Sequence, residues 1–242
     1  MKYNFITTFN KILYDKYAHK FIDSYLKTNQ LFDMVCYVEE DNCEELYPQH
    51  EKITYKNILK CQPECQAFVD RNKYRPTKSY IDNAVMFSYK VFAQYDASFL
   101  KIKTIFLDSD CVFHKQISED WINEFIPDDT CLACYTRESY YSETGFIGFN
   151  NTLDTTHKFF KDYIDLYLTD NVYCIKCGYT DSIAFDVIRR KYKFVSSYKE
   201  KSWGDKYAQH GHVMATCPML SPYVDHRKGN RKSMDSSPEW RG

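Results

Sequence analysis

The chain has 242 residues, 44% of them hydrophobic and 27% charged, and its 32 basic and 33 acidic side chains leave a net charge of −1. These proportions exclude a disordered or fibrous protein and show no overall cationic excess for a polyanion partner, while the length suits a single α/β domain with its own core. No segment approaches the run of about 18 apolar residues that spans a membrane, and the opening MKYNFITTFN holds no signal-peptide apolar core, so a soluble, unsecreted protein is expected.

In chain order, the apolar and β-branched run from Tyr3 to Phe9 predicts a first strand. From Lys11 to Lys27 the residues Ile12, Leu13, Tyr17, Phe21, Ile22, Tyr25 and Leu26 recur at helical spacing. Asp33 to Glu39 predicts a second strand, which makes a β-α-β unit and therefore a parallel pair joined by a crossover helix. No GxGxxG follows the first strand, which removes the main support for a nicotinamide or flavin dinucleotide site. Residues 40 to 79 are polar and carry Pro48, Pro63 and Pro76, and only a short helix over Ile58 to Asp70 is predicted inside them.

A helix from Tyr80 to Phe99 leads to the strand Thr104 to Leu107, which runs directly into Asp108-Ser109-Asp110. Beyond it the pattern predicts a short helix near Trp121 to Phe125 and strands at Cys131 to Tyr135 and Gly145 to Phe149. Helices follow near Asp154 to Leu168 and Asp181 to Arg190, and the tail after Trp203 reads as irregular. The ten cysteines read as reduced thiols. Cys131/Cys134 and Cys174/Cys177 are CxxC pairs and Cys61/Cys65 a looser third, which raises a structural zinc. Against it, residues three apart on the strand expected at Cys131 to Tyr135 face opposite sides.

Two segments carry chemistry. Asp108 and Asp110 stand two apart at the end of a buried strand, so in extended backbone both would project from one face into the crevice where open α/β sheets bind ligands. Such a pair can hold a hard cation and, through it, diphosphate oxygens. Ordinary turn chemistry after a strand would also explain Asp-Ser-Asp. A third reading is the DxDx(T/V) signature of haloacid-dehalogenase-type phosphatases, with Asp108 as nucleophile. The second segment is Tyr223 to Ser233, in which His226, Gly229 and Lys232 have HxxGxxK spacing. Imidazole can ligate a metal, glycine lets backbone approach phosphate, and lysine supplies a mobile charge; a solvated basic tail is the alternative.

With both segments in place, the chain resembles the GT-A glycosyltransferases, particularly the family-eight type that includes glycogenin and galactinol synthase. Phe5-Ile-Thr7-Thr8 looks like their nucleotide-binding first strand, Lys90 like the lysine of the helix before the metal motif, and Ile105 to Asp110 like the DxD motif itself. Glu143 to Asn150 stands where they carry an Asn-Ser-Gly element, Thr180-Asp181-Ser182 where they carry Asp-Gln, and the HxxGxxK segment matches their terminal motif. Glu143, Ser182 and Ser233-Met234 depart from the family's residues. The chain is also similar to small glycosyltransferases of phages and large DNA viruses.

The resemblance implies a single mixed, mainly parallel GT-A domain over residues 1–242, with a nucleotide-binding half (1–110) and an acceptor half (111–242). It implies a soluble enzyme, cytoplasmic in the host cell if viral, that moves a sugar from a nucleotide-sugar, most readily a UDP-sugar, to an acceptor hydroxyl. The acceptor could be a glycan or a hydroxymethylated DNA base. Mn²⁺ or Mg²⁺ would be held by Asp108, Asp110 and His226. Thr7, Thr8, Asp108, Ser109, Lys228, Gly229 and Lys232 would bind the donor and its diphosphate, and Asp181, Glu143 and Lys90 would serve catalysis. Trp203, Tyr198 and Tyr207 could form an acceptor platform amid Arg189, Arg190, Lys191, Lys193, Lys199 and Lys201. A degenerate fold that only binds glycans or nucleic acid is the non-enzymatic alternative.

Overall fold

The computed structural model describes residues 2–100, 102–137, 140–204, 213–234, 236–238 and 240. Strand β1 (Tyr3–Thr8) is followed by one continuous helical segment: α1 (Lys11–Leu13), a π-helical turn (Tyr14–Ala18) and α2 (His19–Lys27). Asn10 starts it, its Oδ1 accepting the Leu13 N–H at 3.0 Å. Strand β2 (Asp33–Val38) comes next, then α3 (Cys43–Leu46) and β3 (Ile53–Asn57). The polar connection thus hides a third strand, which pairs parallel with β2 from Met34↔Ile53 to Val38↔Asn57. As an edge strand with a half-buried, largely polar sequence, it lacks the apolar run that marks a central one.

Helices α4 (Ile58–Cys61) and α5 (Pro63–Asn72) replace the one helix expected there, with Pro63 at the first position of the second. A 3₁₀ turn (Tyr80–Asp82) precedes α6 (Ala84–Ala97), and β4 (Lys103–Leu107) and β5 (Cys111–Phe113) follow. Next come α7 (Glu119–Phe125), β6 (Leu132–Arg137), β7 (Tyr140–Asn150), α8 (Asp154–Leu168), α9 (Asp181–Tyr192) and β8 (Glu200–Ser202). The tail is built around α10 (Val213–Thr216), β9 (Val224–His226) and a 3₁₀ turn (Gly229–Ser233). The described residues of the tail therefore include regular elements where irregular chain was expected.

Seven strands form one sheet in the order β3-β2-β1-β4-β7-β6-β8. The first four run parallel, β7 is antiparallel to both β4 and β6, and β8 is parallel to β6. Side chains alternate between the faces as the pleat requires. Phe5, Ile105 and Leu107 face α2 and α7, whereas Ile6 and Phe106 face α6 and the layer containing α8 and α9. Helices thus cover both faces of the sheet. No described helix is long and apolar enough to cross a membrane.

One small feature positions the site. Strand β5 leaves the end of β4 and pairs antiparallel with β9, in the register Cys111↔His226, Val112↔Asp225 and Phe113↔Val224. The tail is tied back onto the body by several contacts. Ser237 N–H donates to Asp225 Oδ2 at 2.7 Å, Trp240 Nε1 donates to the Ser221 carbonyl at 2.6 Å, and the Trp240 ring stacks on His114 with centroids 4.0 Å apart.

Candidate functional site

Strand β4 stops at Leu107 and the chain turns over residues 109–110, so the two acidic groups do not share a face through extended backbone as expected. They converge because the turn is pinned. Asp108 N–H donates to the Gly145 carbonyl at 2.8 Å, and Cys111 N–H donates to the Asp108 carbonyl at 3.0 Å. The β5–β9 register then sets His226 beside them, its Nε2 3.0 Å from Asp110 Oδ1 and 3.8 Å from Asp108 Oδ2. Its Nδ1 lies 4.0 Å from Glu143 Oε1. Two carboxylates and an imidazole from opposite halves of the chain thus face one another.

Three lysines complete the charge set. Lys90, buried on α6, places Nζ 2.8 Å from Asp108 Oδ1 and 2.6 Å from Asp181 Oδ2. Asp181 opens α9 and also accepts a hydrogen bond from the Thr144 hydroxyl, a partner not foreseen from sequence. Lys232 Nζ lies 3.0 Å from Asp110 Oδ2 and 4.1 Å above the Tyr17 ring. Lys228 Nζ lies 3.2 Å from Glu143 Oε2.

The electrostatics follow from this packing. Burial pushes Asp110 up, but His226 and Lys232 outweigh it and hold the carboxyl well below the usual range. Asp108 is raised, because burial and the neighbouring Asp110 act against Lys90. Burial lowers the imidazole of His226, yet Asp110, Glu143 and Asp108 prevail and raise it. Glu143 is desolvated too, and the charges of Lys228, His226 and Arg137 bring it down to about 2. Lys90 is raised by Asp108 and Asp181 against its own burial.

Backbone approach at this centre requires glycine at one position. A Cβ on Gly145 would fall 2.7 Å from His226 Cε1 and 2.9 Å from Asp108 Oδ2. Any other residue there would displace the imidazole or the carboxylate.

Beside this centre opens a cleft of about 460 Å³ lined by Thr8, Leu13, Tyr17, Met86, Ser109, Lys232 and the carboxylates Asp108, Asp110 and Asp181. Thr7 is fully buried and does not line it. Gly229 has φ +65° and open space where a Cβ would point, so it makes no close approach to protein here.

Among the described residues, one group of donor atoms close enough to hold a cation is Asp110, Cys111 and His226. It contains no cysteine of either CxxC pair. Burial raises the Cys111 thiol well above its ordinary value, and a soft sulfur suits a hard cation less well than oxygen, while Asp108 Oδ2 lies 3.8 Å from the same imidazole. Asp110 and His226, with Asp108 near the imidazole but outside that group, offer carboxylate and imidazole donors of the types that divalent ions take.

The acceptor platform expected from sequence does not assemble. Tyr198 is buried with Phe159 and Tyr192 on one side of the sheet, whereas Trp203 stacks on Phe125 on the other. Tyr207 lies outside the described residues. Much of the surrounding positive charge is paired: Arg189 with Asp186 and Glu200, Lys191 with Asp162, and Lys199 with Asp129.

No protein-family model matches the chain, and no curated protein matches it. Among solved structures it is similar to mouse xyloside xylosyltransferase 1 in its apo form, with 14% identity, 84% of this chain and 85% of that chain covered, and a TM-score of 0.53. It is also similar to the apo form of the glycosyltransferase GlyE of Streptococcus pneumoniae TIGR4 (13% identity, 83% and 45% covered, TM-score 0.47). A third is the galactosyltransferase LgtC in complex with donor and acceptor sugar analogs (11% identity, 75% and 69% covered, TM-score 0.48). The match to the mouse enzyme, which spans most of both chains, shows the fold. This chain is a single α/β domain with the GT-A architecture.

Proposed function

We propose that this GT-A domain transfers a sugar from a nucleotide-sugar, of the kind a UDP-sugar represents, to an acceptor hydroxyl, with Mn²⁺ or Mg²⁺ held by Asp108, Asp110 and His226. The observation that carries the reading is the 3.0 Å approach of a tail imidazole to the second carboxylate of a DxD motif, at the wall of a cleft rich in ammonium groups. A divalent cation bound there would supply positive charge to the diphosphate as it becomes a leaving group.

The chain's own residues divide the remaining work. Lys232 and Lys228 are partly exposed, with side chains 35% and 51% accessible, so either can leave its carboxylate for a phosphate oxygen. Ser109 and Thr8 line the same cleft and would meet the diphosphate and the nucleoside. Gly229, at φ +65°, would turn the tail's backbone toward the diphosphate; Thr7, buried beneath, would support Thr8. Lys90, locked between Asp108 and Asp181, fixes both carboxylates. Asp181 then faces the cleft as the group that orients the sugar or the acceptor hydroxyl, with Glu143 behind His226 setting the imidazole's position. Retention of configuration is the outcome that the family-eight resemblance implies. The acceptor we propose is a glycan or a hydroxymethylated DNA base, in a protein that works in the cytoplasm. The phosphatase alternative is set aside because the chain's fold is similar to that of the xylosyltransferase over most of both chains.

The test is thermal unfolding of the wild-type chain and Asp110→Asn with UDP and Mn²⁺, separately and together. Wild type should gain stability only with both present, and the variant should gain none. Full transfer activity of Asp110→Asn in EDTA would refute the reading.

A further inference from the structure

At the end of the sheet opposite Asp108, where β1 and β4 begin and β7 finishes, lies a cleft of about 580 Å³. Tyr3 of β1 pairs with Lys103 of β4, and Lys103 pairs with Asn150 of β7. Residues paired in register point to one face, so these three side chains stand together, on the face that α7 covers. Helix α7 adds Asn123 to the cleft, and the loop after it adds Asp128. Lys103 and Asp108 lie at opposite ends of β4, about 16 Å apart along the strand.

The cleft holds a buried cation whose counter-charge is free to leave. The Lys103 side chain is only 8% exposed, and its Nζ meets Asn123 Oδ1 at 2.8 Å and Asp128 Oδ1 at 2.7 Å. The Asp128 side chain, by contrast, is 97% exposed and forms its ion pair with Lys103 alone among the described residues. Its backbone is fixed separately, the carbonyl accepting from Asn150 Nδ2 at 2.8 Å, so the carboxylate can swing into water while the chain stays in place. An ion pair with so exposed a partner is weakly held. Lys103 would then keep only an amide oxygen, and a desolvated ammonium in that state is costly unless another anion takes the vacated position. Asn123 is oriented to assist. Its Oδ1 accepts from Lys103 and, at 3.0 Å, from the Tyr3 hydroxyl, which turns its NH₂ group away from both as a further donor. The exposed Lys2 adds a second positive charge to the lining.

We propose that this cleft is a second ligand site, for a sugar-sized organic anion whose carboxylate or phosphate replaces the Asp128 carboxylate on Lys103. Its volume exceeds what an inorganic ion needs. Apart from the charged groups and the apolar surfaces of Tyr3 and Ile102, the lining consists of amides and a hydroxyl, a set of donors and acceptors that suits a hydroxylated body. The site is separate from the proposed transfer chemistry and stands whether or not this chain transfers a sugar.

The experiment is an NMR titration of the full chain, following backbone amides at constant ionic strength, with glucuronate, glucose 6-phosphate and glucose. The three probes share a hydroxylated ring and differ in their anion. Saturable shifts at Lys2, Tyr3, Lys103 and Asn123 are expected with one or both acids and not with glucose, and the acid that binds identifies carboxylate or phosphate as the anion. Asp128→Asn removes the competing charge and should tighten binding by about two- to fivefold. Lys103→Met should abolish it, which separates this site from the lysines beside Asp108 and Asp110. The Asp128 side chain lies in solvent, so its variant decides the matter even where Lys103→Met does not fold. Shifts at these residues with none of the probes, equal shifts with glucose, or an affinity unchanged or weakened in Asp128→Asn overturns the inference and leaves the sugar-transfer reading intact.

Discussion

The carboxylates of this site are held where they are by cations that neutralise them, and single substitutions should expose that. Lys90 is the most enclosed of the three lysines, with a side chain only 10% exposed between Asp108 and Asp181. Removing one partner of a buried charge set typically costs about 3–5 kcal/mol, since the remaining charges stay desolvated. Lys90→Met should therefore lower the melting temperature markedly, and the Lys90→Met/Asp181→Asn double variant should recover part of the loss. Gly145→Ala should act differently. Its Cβ would strike His226 and Asp108, so Mn²⁺ affinity, followed by titration, should fall by more than the modest loss of stability explains.

Glu143 gives a pH signature at the same scale. Its folded carboxyl, at about 2, lies below the ordinary 4.5, so it stabilises the fold fully above pH 4.5, and this contribution disappears as pH falls from about 4.5 toward 2. The size is about 3 kcal/mol by linkage. Chemical denaturation of the metal-free protein from pH 6 to pH 3 should show about 2 kcal/mol of this loss, and Glu143→Gln should flatten the curve over that range.

Among the elements, the β5–β9 ribbon has the greatest consequence for its size. Three residues on each side bring His226 to Asp110, and the tail's return is secured by Trp240 stacked on His114. Trp240→Ala should cost about 1–2 kcal/mol of global stability through lost stacking and a lost hydrogen bond. It should also raise amide exchange in residues 224–226 beyond that of the central sheet, as measured by hydrogen–deuterium exchange.

The same element shows where sequence reading stops. The central strands β1, β2 and β4 were legible because strands covered on both faces are written as apolar runs. Strand β9 is three residues ahead of a basic segment and β3 is a polar edge, and each is set by pairing with a distant partner that no local period records.

At the scale of the whole molecule, the GT-A architecture could be expected from the order of strands, DxD motif and HxxGxxK tail. The family resemblance also implied Asp108, Asp110 and His226 as a group, and the fold sets His226 beside both carboxylates. The turn over residues 109–110 could not be foreseen, because an Asp-Ser-Asp string suits extended chain and turn alike.

The most direct test of the account is binding of Mn²⁺ to the purified chain, followed by electron paramagnetic resonance with UDP present. The account predicts one bound Mn²⁺ per wild-type chain, and its loss in His226→Ala while the circular dichroism spectrum is unchanged. Equal Mn²⁺ binding by wild type and His226→Ala would contradict it.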